Sequence, residues 1–333
     1  MSVHYKECVK SGISRRVFGY SALMLCSLWL AVSPVRAEGL TSVGEPQTYK
    51  TVYEDTLVQI ARKYNLGFIE LRAANQGIDP WIPGADVELT LPTMHLLPKT
   101  THEGVVINLP EMRLYAYTVP GEVITHPIGV GRTGLSTPVG KTTIMRKKIG
   151  PVWRPTDRMR EEDPKLPEQI GPGLDNPMGT HALYLGWPEY AVHGTNKPFG
   201  IGRRSSSGCI RLYPEDIVTL FDQVNEGTPV TVVDQPIKVA WVGNDLYMEA
   251  HTTLAQADLM EQEGVIEGYD FTDADMAMLM SEAGEYKDHI DWAKVRRLVR
   301  ERKGVPEVVA SKPATGAQSA QPELVSTGAN DRS

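Results

Sequence analysis

The chain has 333 residues, 41% hydrophobic and 23% charged, within the ordinary range for soluble globular proteins and long enough for two or three domains. Its 34 basic residues against 41 acidic ones give a formal net charge of −7, which argues against a nucleic-acid partner, and three cysteines exclude a disulfide scaffold. No apolar run reaches the roughly 20 residues of a membrane-spanning helix.

Residues 1–37 read as a secretory signal. Lys6, Lys10, Arg15 and Arg16 precede a mostly apolar stretch from Val17 to Val32, and Pro34-Val35-Arg36-Ala37 puts small residues where signal peptidase reads. Ser14-Arg15-Arg16-Val17-Phe18 also fits a twin-arginine signal, so both export routes are open. Cleavage would remove five basic side chains and one acidic one, taking the charge from −7 to −11. It would also remove Cys8 and Cys26, leaving Cys209 as the one thiol of an exported, periplasmic protein. A single thiol cannot close an internal disulfide, so it is either buried and inert or chemically employed.

Residues 38–47 read as a polar linker and 48–95 as a small α+β unit. Tyr49 and Val52 suggest a strand, Asp55 is placed to cap a helix from Thr56, and Leu57, Ile60, Ala61 and Tyr64 form one apolar helical face. A second helix around Ile69 to Asn75 and a strand through Val87, Leu89 and Leu91 complete a βααβ order. The pattern Y-x-x-V…D-T-L-x-x-I-A…Y…L-x-x-A-N…I-P-G…L-x-L-P resembles a LysM domain, which implies binding of N-acetylglucosamine-containing glycan strands.

Residues 96–235 read as a mainly β domain. Val105 to Ile107, Leu114 to Tyr117, Val123 to Val130 and Lys141 to Arg146 are strand-like, and Pro214 opens a helix with Ile217, Leu220, Phe221 and Val224 as its buried stripe. The irregular, charged stretch Gly150 to Asn176 is long enough to call for a use, such as a substrate lid. Residues 236–305 read as a hairpin about Gly243-Asn244-Asp245, an acidic and largely solvated segment, and a basic amphipathic helix over Asp291 to Lys303 docked on it. Residues 306–333 read as a disordered tail.

The chemistry concentrates in His193-Gly194-Thr195 and Ser206-Ser207-Gly208-Cys209-Ile210-Arg211. A thiol attacks as thiolate and needs a base, and His193, sixteen residues upstream, can take its proton and return it to a leaving amine. Gly194 and Gly208 allow close backbone approach, and the amides of Gly208 and Cys209 are candidate oxyanion donors. Gly129-Val130-Gly131-Arg132-Thr133-Gly134 fits G-x-G-x-x-G, but Ser-Thr-Pro follows where a dinucleotide site needs a helix. His181, His193 and Cys209 lack metal-ligand spacing, so neither metal nor cofactor is expected, and His181 is read as structural. Trp153 and Trp187 are read as packing or cleft walls. Lys141, Arg146, Lys147, Lys148, Arg154, Arg158 and Arg160 form a basic cluster that either attracts anionic peptides or is a solvated run.

His193, Gly208, Cys209 and Arg211 match, position by position, the signature of the YkuD-type L,D-transpeptidase family. The resemblance runs from Gly104 to about Val233 and takes in Thr137-Pro-Val-Gly140 and Asn176-Pro-Met-Gly179. It implies a YkuD-like β-sandwich with one or more short helices. It also implies a cysteine acyltransferase that attacks the diaminopimelate carbonyl of a peptidoglycan tetrapeptide stem, releases D-alanine, and passes the acyl group to an amine. Carbapenem-type β-lactams are the implied inhibitors. The acceptor is open between another stem, giving a 3-3 crosslink, a lipoprotein lysine, and a free D-amino acid, and the combination with LysM resembles enterobacterial enzymes that attach an outer-membrane lipoprotein. The histidine usual two places before the cysteine is Ser207 here, so the thiol's acidity is expected to depend on His193 and local amides. Arg211 is read either as an anchor for a substrate carboxylate or as part of a structural salt bridge, with Ser207, Gly194 and Thr195 beside it as substrate contacts. The alternatives are an L,D-carboxypeptidase that uses water and an inactive peptidoglycan-binding protein.

Overall fold

The computed structural model describes residues 39–266, 268 and 271–313, so the expected signal segment and residues 314–333 lie outside it. The chain begins with β1 (Ser42–Val43) and β2 (Gln47–Lys50), so the expected linker 38–47 already contains strand. Helices α1 (Leu57–Lys63) and α2 (Phe68–Ala74) follow, then β3 (Glu88–Leu91), antiparallel to β2. The cap of α1 is Thr56, not Asp55. Thr56 Oγ1 accepts from Gln59 N–H while Gln59 Oε1 accepts from Thr56 N–H, and Asp55 instead accepts from Tyr49 Oη and Val52 N–H.

This βααβ unit is not a free-standing bead. β4 (His95–Leu96) pairs with β1 across the expected boundary at 95/96, and the apolar core runs on without a break from Leu57, Leu66 and Phe68 to Ile128, Ile210 and Leu212. Glu70 of α2 is buried against Arg113, 2.7 Å away on β6 (Arg113–Tyr117). The backbones of Gly67 and Gly202 touch so closely that a Cβ on Gly202 would lie 2.2 Å from Gly67 Cα, and Gly202 has φ +70°. Gly202→Ala is therefore expected to destabilise by about 2–4 kcal/mol through clash and left-handed strain, read as a fall in Tm.

The catalytic portion contains β5 (Gly104–Asn108), β6, β7 (Ile124–Pro127), β8 (Val130–Gly131), β9 (Gly140–Ile149), β10 (His181–Leu185), β11 (Ala191–His193), β12 (Arg204–Ser206), β13 (Ile210–Arg211) and β14 (Pro229–Val233). Eight of them form one curled sheet in the order β13-β11-β10-β9-β14-β5-β6-β7, and β8 pairs with β12 separately. The domain is mainly β, as expected. Its two halves are continuous through β9, which pairs with β14 over Gly140 to Thr143 and with β10 over Ile144 to Ile149. The single strand expected from Val123 to Val130 is interrupted after Pro127, and its two parts join different sheets. Among the helices, α3 (Asp157–Glu162) lies in the long connection, and α4 (Pro214–Gln223) buries Ile217, Leu220 and Phe221 as predicted.

The remainder forms a second small core, except that Ala257 and Met260 pack into the first. The expected hairpin is β15 (Ile237–Val242) and β16 (Asp245–Ala250). Helices α5 (Leu254–Glu263), α6 (Asp273–Ala283) and α7 (Trp292–Glu301) follow. Val295, Leu298 and Val299 of α7 pack with Leu279 and Ala283 of α6, the docking its periodicity predicts. Two expectations need correction. Residues 307–311 are not disordered but form β17 (Glu307–Ser311), antiparallel to β16, with Val309 and Ala310 buried. Glu249, in the segment read as solvated, is fully buried against Lys238 and His251. Alternation along β16 puts Leu246, Met248 and Ala250 on one face and Glu249 on the other, where the Leu96 amide, Lys238 and His251 enclose its carboxylate. No helix among the described residues is long and apolar enough to cross a membrane.

Candidate active site

The sixteen-residue separation of His193 and Cys209 is closed by strand pairing. β11 and β13 run parallel with His193 opposite Arg211, and Leu212 N–H donates to His193 O at 2.9 Å. Cys209 sits on the turn just before β13. Cys209, His193, Arg211, Ser206 and Ser207 all line one cleft of about 870 Å3. Trp153 and Trp187 form part of its wall, as does the segment Val152–Met159 of the connection expected to serve as a lid.

The turn that carries the thiol is held by two hydroxyls. Ser206 Oγ accepts from Gly208 N–H at 3.1 Å and donates to Cys209 O at 2.5 Å, while Thr137 Oγ1 donates to Gly208 O at 2.8 Å. Gly208 has φ +111°, and a Cβ there would press on the Tyr190 ring at 3.0 Å, so glycine is required. Because Gly208 N–H is given to Ser206, the expected oxyanion pair loses one member, and the Cys209 amide is the donor left at the turn.

His193 is buried, and its Nδ1 lies 2.6 Å from Gly194 O. That carbonyl can only accept, so Nδ1 carries the proton and Nε2 keeps its lone pair. Burial, then the charge of Arg211, outweigh the carbonyls of Gly194 and Met178 and hold the imidazole pKa down to about 4. Burial also pushes the Cys209 thiol up, against the Ala191 amide and the Arg211 charge, which lower it. The resting pair is therefore neutral thiol and neutral imidazole. The expectation that His193 sets the thiol's acidity is corrected: the positive charge felt by the sulfur is Arg211.

Arg211 has no carboxylate within ion-pair distance among the described residues, and its buried Nε has no partner. The salt-bridge reading of this residue is thereby removed. Ser207 lies in the cleft, half-buried. Gly194 and Thr195 are not cleft residues, contrary to their assignment as substrate contacts. Gly194 supplies the carbonyl that orients His193 and packs on Ile217, while Thr195 Oγ1 accepts from Lys197 N–H. Gly179 explains the close approach, since a Cβ there would lie 2.7 Å from Thr195 N.

Sequence reasoning missed the work of Ser206, Thr137 and Asn176. All three lie in quoted motifs, but only the fold shows that Asn176, fully buried, donates to Pro151 O and Gly171 O and so anchors the base of the 150–176 segment. His181 packs edge-on against Phe221 at 4.7 Å and is structural, as expected. The one group of three ligand-type side chains found among the described residues is elsewhere: His95, Glu111 and Glu249. Lys238 Nζ stands between its carboxylates, 2.6 Å from Glu111 and 3.1 Å from Glu249, so an ammonium already occupies the place a cation would take.

Residues 102–232 match the family model of the YkuD L,D-transpeptidase catalytic domain. The Escherichia coli protein named probable L,D-transpeptidase YcfS is 44% identical over 67% of this chain and 73% of its own length. The one named probable L,D-transpeptidase YbiS is 37% identical over 86% of this chain and 95% of its own. Among solved structures, the L,D-transpeptidase from Mycobacterium smegmatis is similar at 22% identity and a TM-score of 0.33, covering 58% of this chain and 93% of that one.

Proposed function

Since the chain belongs to the L,D-transpeptidase family and is a peptidoglycan L,D-transpeptidase, we propose that Cys209 is its nucleophile, His193 its general base and Arg211 the anchor for a substrate carboxylate. The observation that carries this reading is the meeting, in one cleft, of a thiol, a neutral imidazole oriented by Gly194 O, and a guanidinium with no acidic partner among the described residues.

In the first half-reaction His193 Nε2 takes the Sγ proton as sulfur attacks the diaminopimelate carbonyl of the tetrapeptide stem. The Cys209 amide N–H donates to the developing oxyanion. His193 then returns the proton to the departing nitrogen, D-alanine leaves, and a thioester remains. In the second half an acceptor amine attacks the thioester, His193 takes its proton, and the thiol re-forms as the amide departs. A neutral resting pair suits this route, because the proton moves in concert with attack and no buried charge has to be held beforehand.

The acceptor is another stem or a lipoprotein lysine, with water as the alternative that would make the enzyme a carboxypeptidase. The βααβ unit is read as a LysM glycan anchor. Tyr53 and Trp81, on the loops flanking its two helices, are exposed by 86% and 59%, and aromatic faces of that kind stack on sugar rings. Export through residues 1–37 would place the enzyme in the periplasm, beside its substrate. Carbapenems would acylate the same sulfur. The test is intact-mass measurement of the protein incubated with disaccharide-tetrapeptide. An acyl adduct mapped to Cys209 with stoichiometric D-alanine is the expected result, and adduct-free turnover would sink the mechanism. Muropeptide profiles with and without a lipoprotein acceptor separate the acceptors.

A further inference from the structure

The cleft extends well past the reacting thiol, and its far walls are rich in arginine. Arg146, Arg154 and Arg158 line it together with Arg211, against two acids, Asp157 and Glu189. This local excess of positive charge lies in a chain whose net charge is −7. Two other members of the basic cluster, Lys147 and Arg160, are used differently. Lys147 Nζ binds Phe221 O and Val224 O at the end of α4, and Arg160 binds Glu168 O.

Two of the three cleft arginines are held in place without an acidic partner among the described residues, and the third shares one. Arg146 lies flat over the Tyr184 ring, 4.0 Å from its centroid, and has no carboxylate partner among the described residues. Arg154 donates to the neutral amide Oε1 of Gln169 at 2.8 Å, so its orientation is set while its charge is left over. Arg158 binds Glu162 at 2.7 Å, but Glu162 is shared with Arg132 at 2.8 Å, and all three side chains are one-third to one-half exposed. One solvated carboxylate between two guanidiniums is a weak tie that an incoming carboxylate can replace. A guanidinium fixed by stacking or by a neutral acceptor offers its remaining N–H pair for bidentate binding of a carboxylate.

We infer that Arg154 and Arg158, backed by Arg146, form a second carboxylate-recognition wall that reads the free carboxylates of the peptide stem away from the scissile carbonyl. This deepens the proposed function and rests on it. It assigns the connection between β9 and β10 a part in substrate selection: the enzyme should prefer anionic stems to amidated ones.

The experiment compares two donors, a tetrapeptide stem with its free carboxylates and the same stem with the side carboxylates converted to carboxamides. The wild-type protein is expected to show a KM about 10-fold lower for the carboxylate donor, as charge-assisted hydrogen bonds at a part-exposed site allow. Arg154→Gln/Arg158→Gln should abolish that preference while iodoacetamide still alkylates Cys209 at the wild-type rate. Arg154→Lys/Arg158→Lys should keep part of it. Retention of the full preference by the glutamine variant, with alkylation intact, would overturn the inference. If the glutamine variant does not fold, the wild-type salt dependence decides: the KM difference between donors must shrink with rising salt, and a salt-independent difference overturns the wall. Failure of the underlying mechanism would look different, since Cys209→Ala would then retain turnover whatever the donor.

Discussion

Replacing Cys209 by alanine is expected to reduce acyl transfer to background while leaving the fold unchanged, because the half-buried sulfur makes only weak polar contacts, with Glu189 O and the Ala191 amide. His193→Ala should lower kcat by about 10²–10⁴-fold, the usual worth of a positioned general base. The two sites also predict a pH profile. As the proposed base, His193 would act only as neutral imidazole, and burial with the nearby Arg211 charge holds its pKa to about 4. Activity should therefore persist as pH falls through 6.5, where an ordinary imidazole would charge, and be lost only near 4. Arg211→Gln removes the charge that lowers both groups. The imidazole pKa should rise and carry the acid limb upward with it, while the thiol pKa should rise further and iodoacetamide alkylation at a given pH should slow. His193→Ala, by contrast, removes no positive charge from the resting site and should leave the alkylation profile nearly in place. A kcat/KM profile with an acid limb near 6.5 in the wild-type protein would refute the neutral-base assignment.

Arg113→Met should be the most damaging substitution outside the cleft, costing about 3–5 kcal/mol, the range for breaking a buried ion pair from one side. Arg113 and Glu70 have side chains 1% and 2% exposed, joined at 2.7 and 3.2 Å, and they tie α2 to β6 across the boundary between the βααβ unit and the β domain. Burial alone would raise the Glu70 carboxyl; the Arg113 charge, with His95, outweighs it and leaves the pKa below normal. With the folded value lower than the unfolded one, the carboxylate's support for the fold is full above the unfolded range of about 4.3 and is lost as pH falls through the folded value. In Arg113→Met the burial term loses its main opponent, so the gap from wild type should be widest at neutral pH and close on acidification as Glu70 takes a proton. Glu70→Gln/Arg113→Met should recover much of the loss. Thermal melts of the wild type and the two variants across pH 4–8 test this; an Arg113→Met protein as stable as wild type would show that the pair contributes little.

Local pattern was enough for much of this protein. The helical face Leu57, Ile60, Ala61, the stripe of α4, the hairpin about Gly243-Asn244 and the amphipathic α7 were legible because periodicity and turn chemistry act over a few residues. Cys209 and His193 were legible because cleavage of the expected signal would leave one thiol, and a thiol that attacks needs a base. What the sequence could not reveal is set by contacts between distant segments. The E-V-V-A run of β17 was hidden by the Pro-, Ala- and Ser-rich residues around it, and it becomes a strand only because β16 offers an edge. Glu70, Glu111, Glu249 and Lys238 look like surface charges in the sequence and are buried because their partners come from three different units. The roles of Gly194, Thr195 and Gly208 moved from substrate contact and oxyanion donor to positioning, since which amide or carbonyl is already bonded depends on the folded turn. The charge that tunes the thiol is Arg211 for the same reason: sequence names the charged residues near a site, but burial decides which of them stay charged.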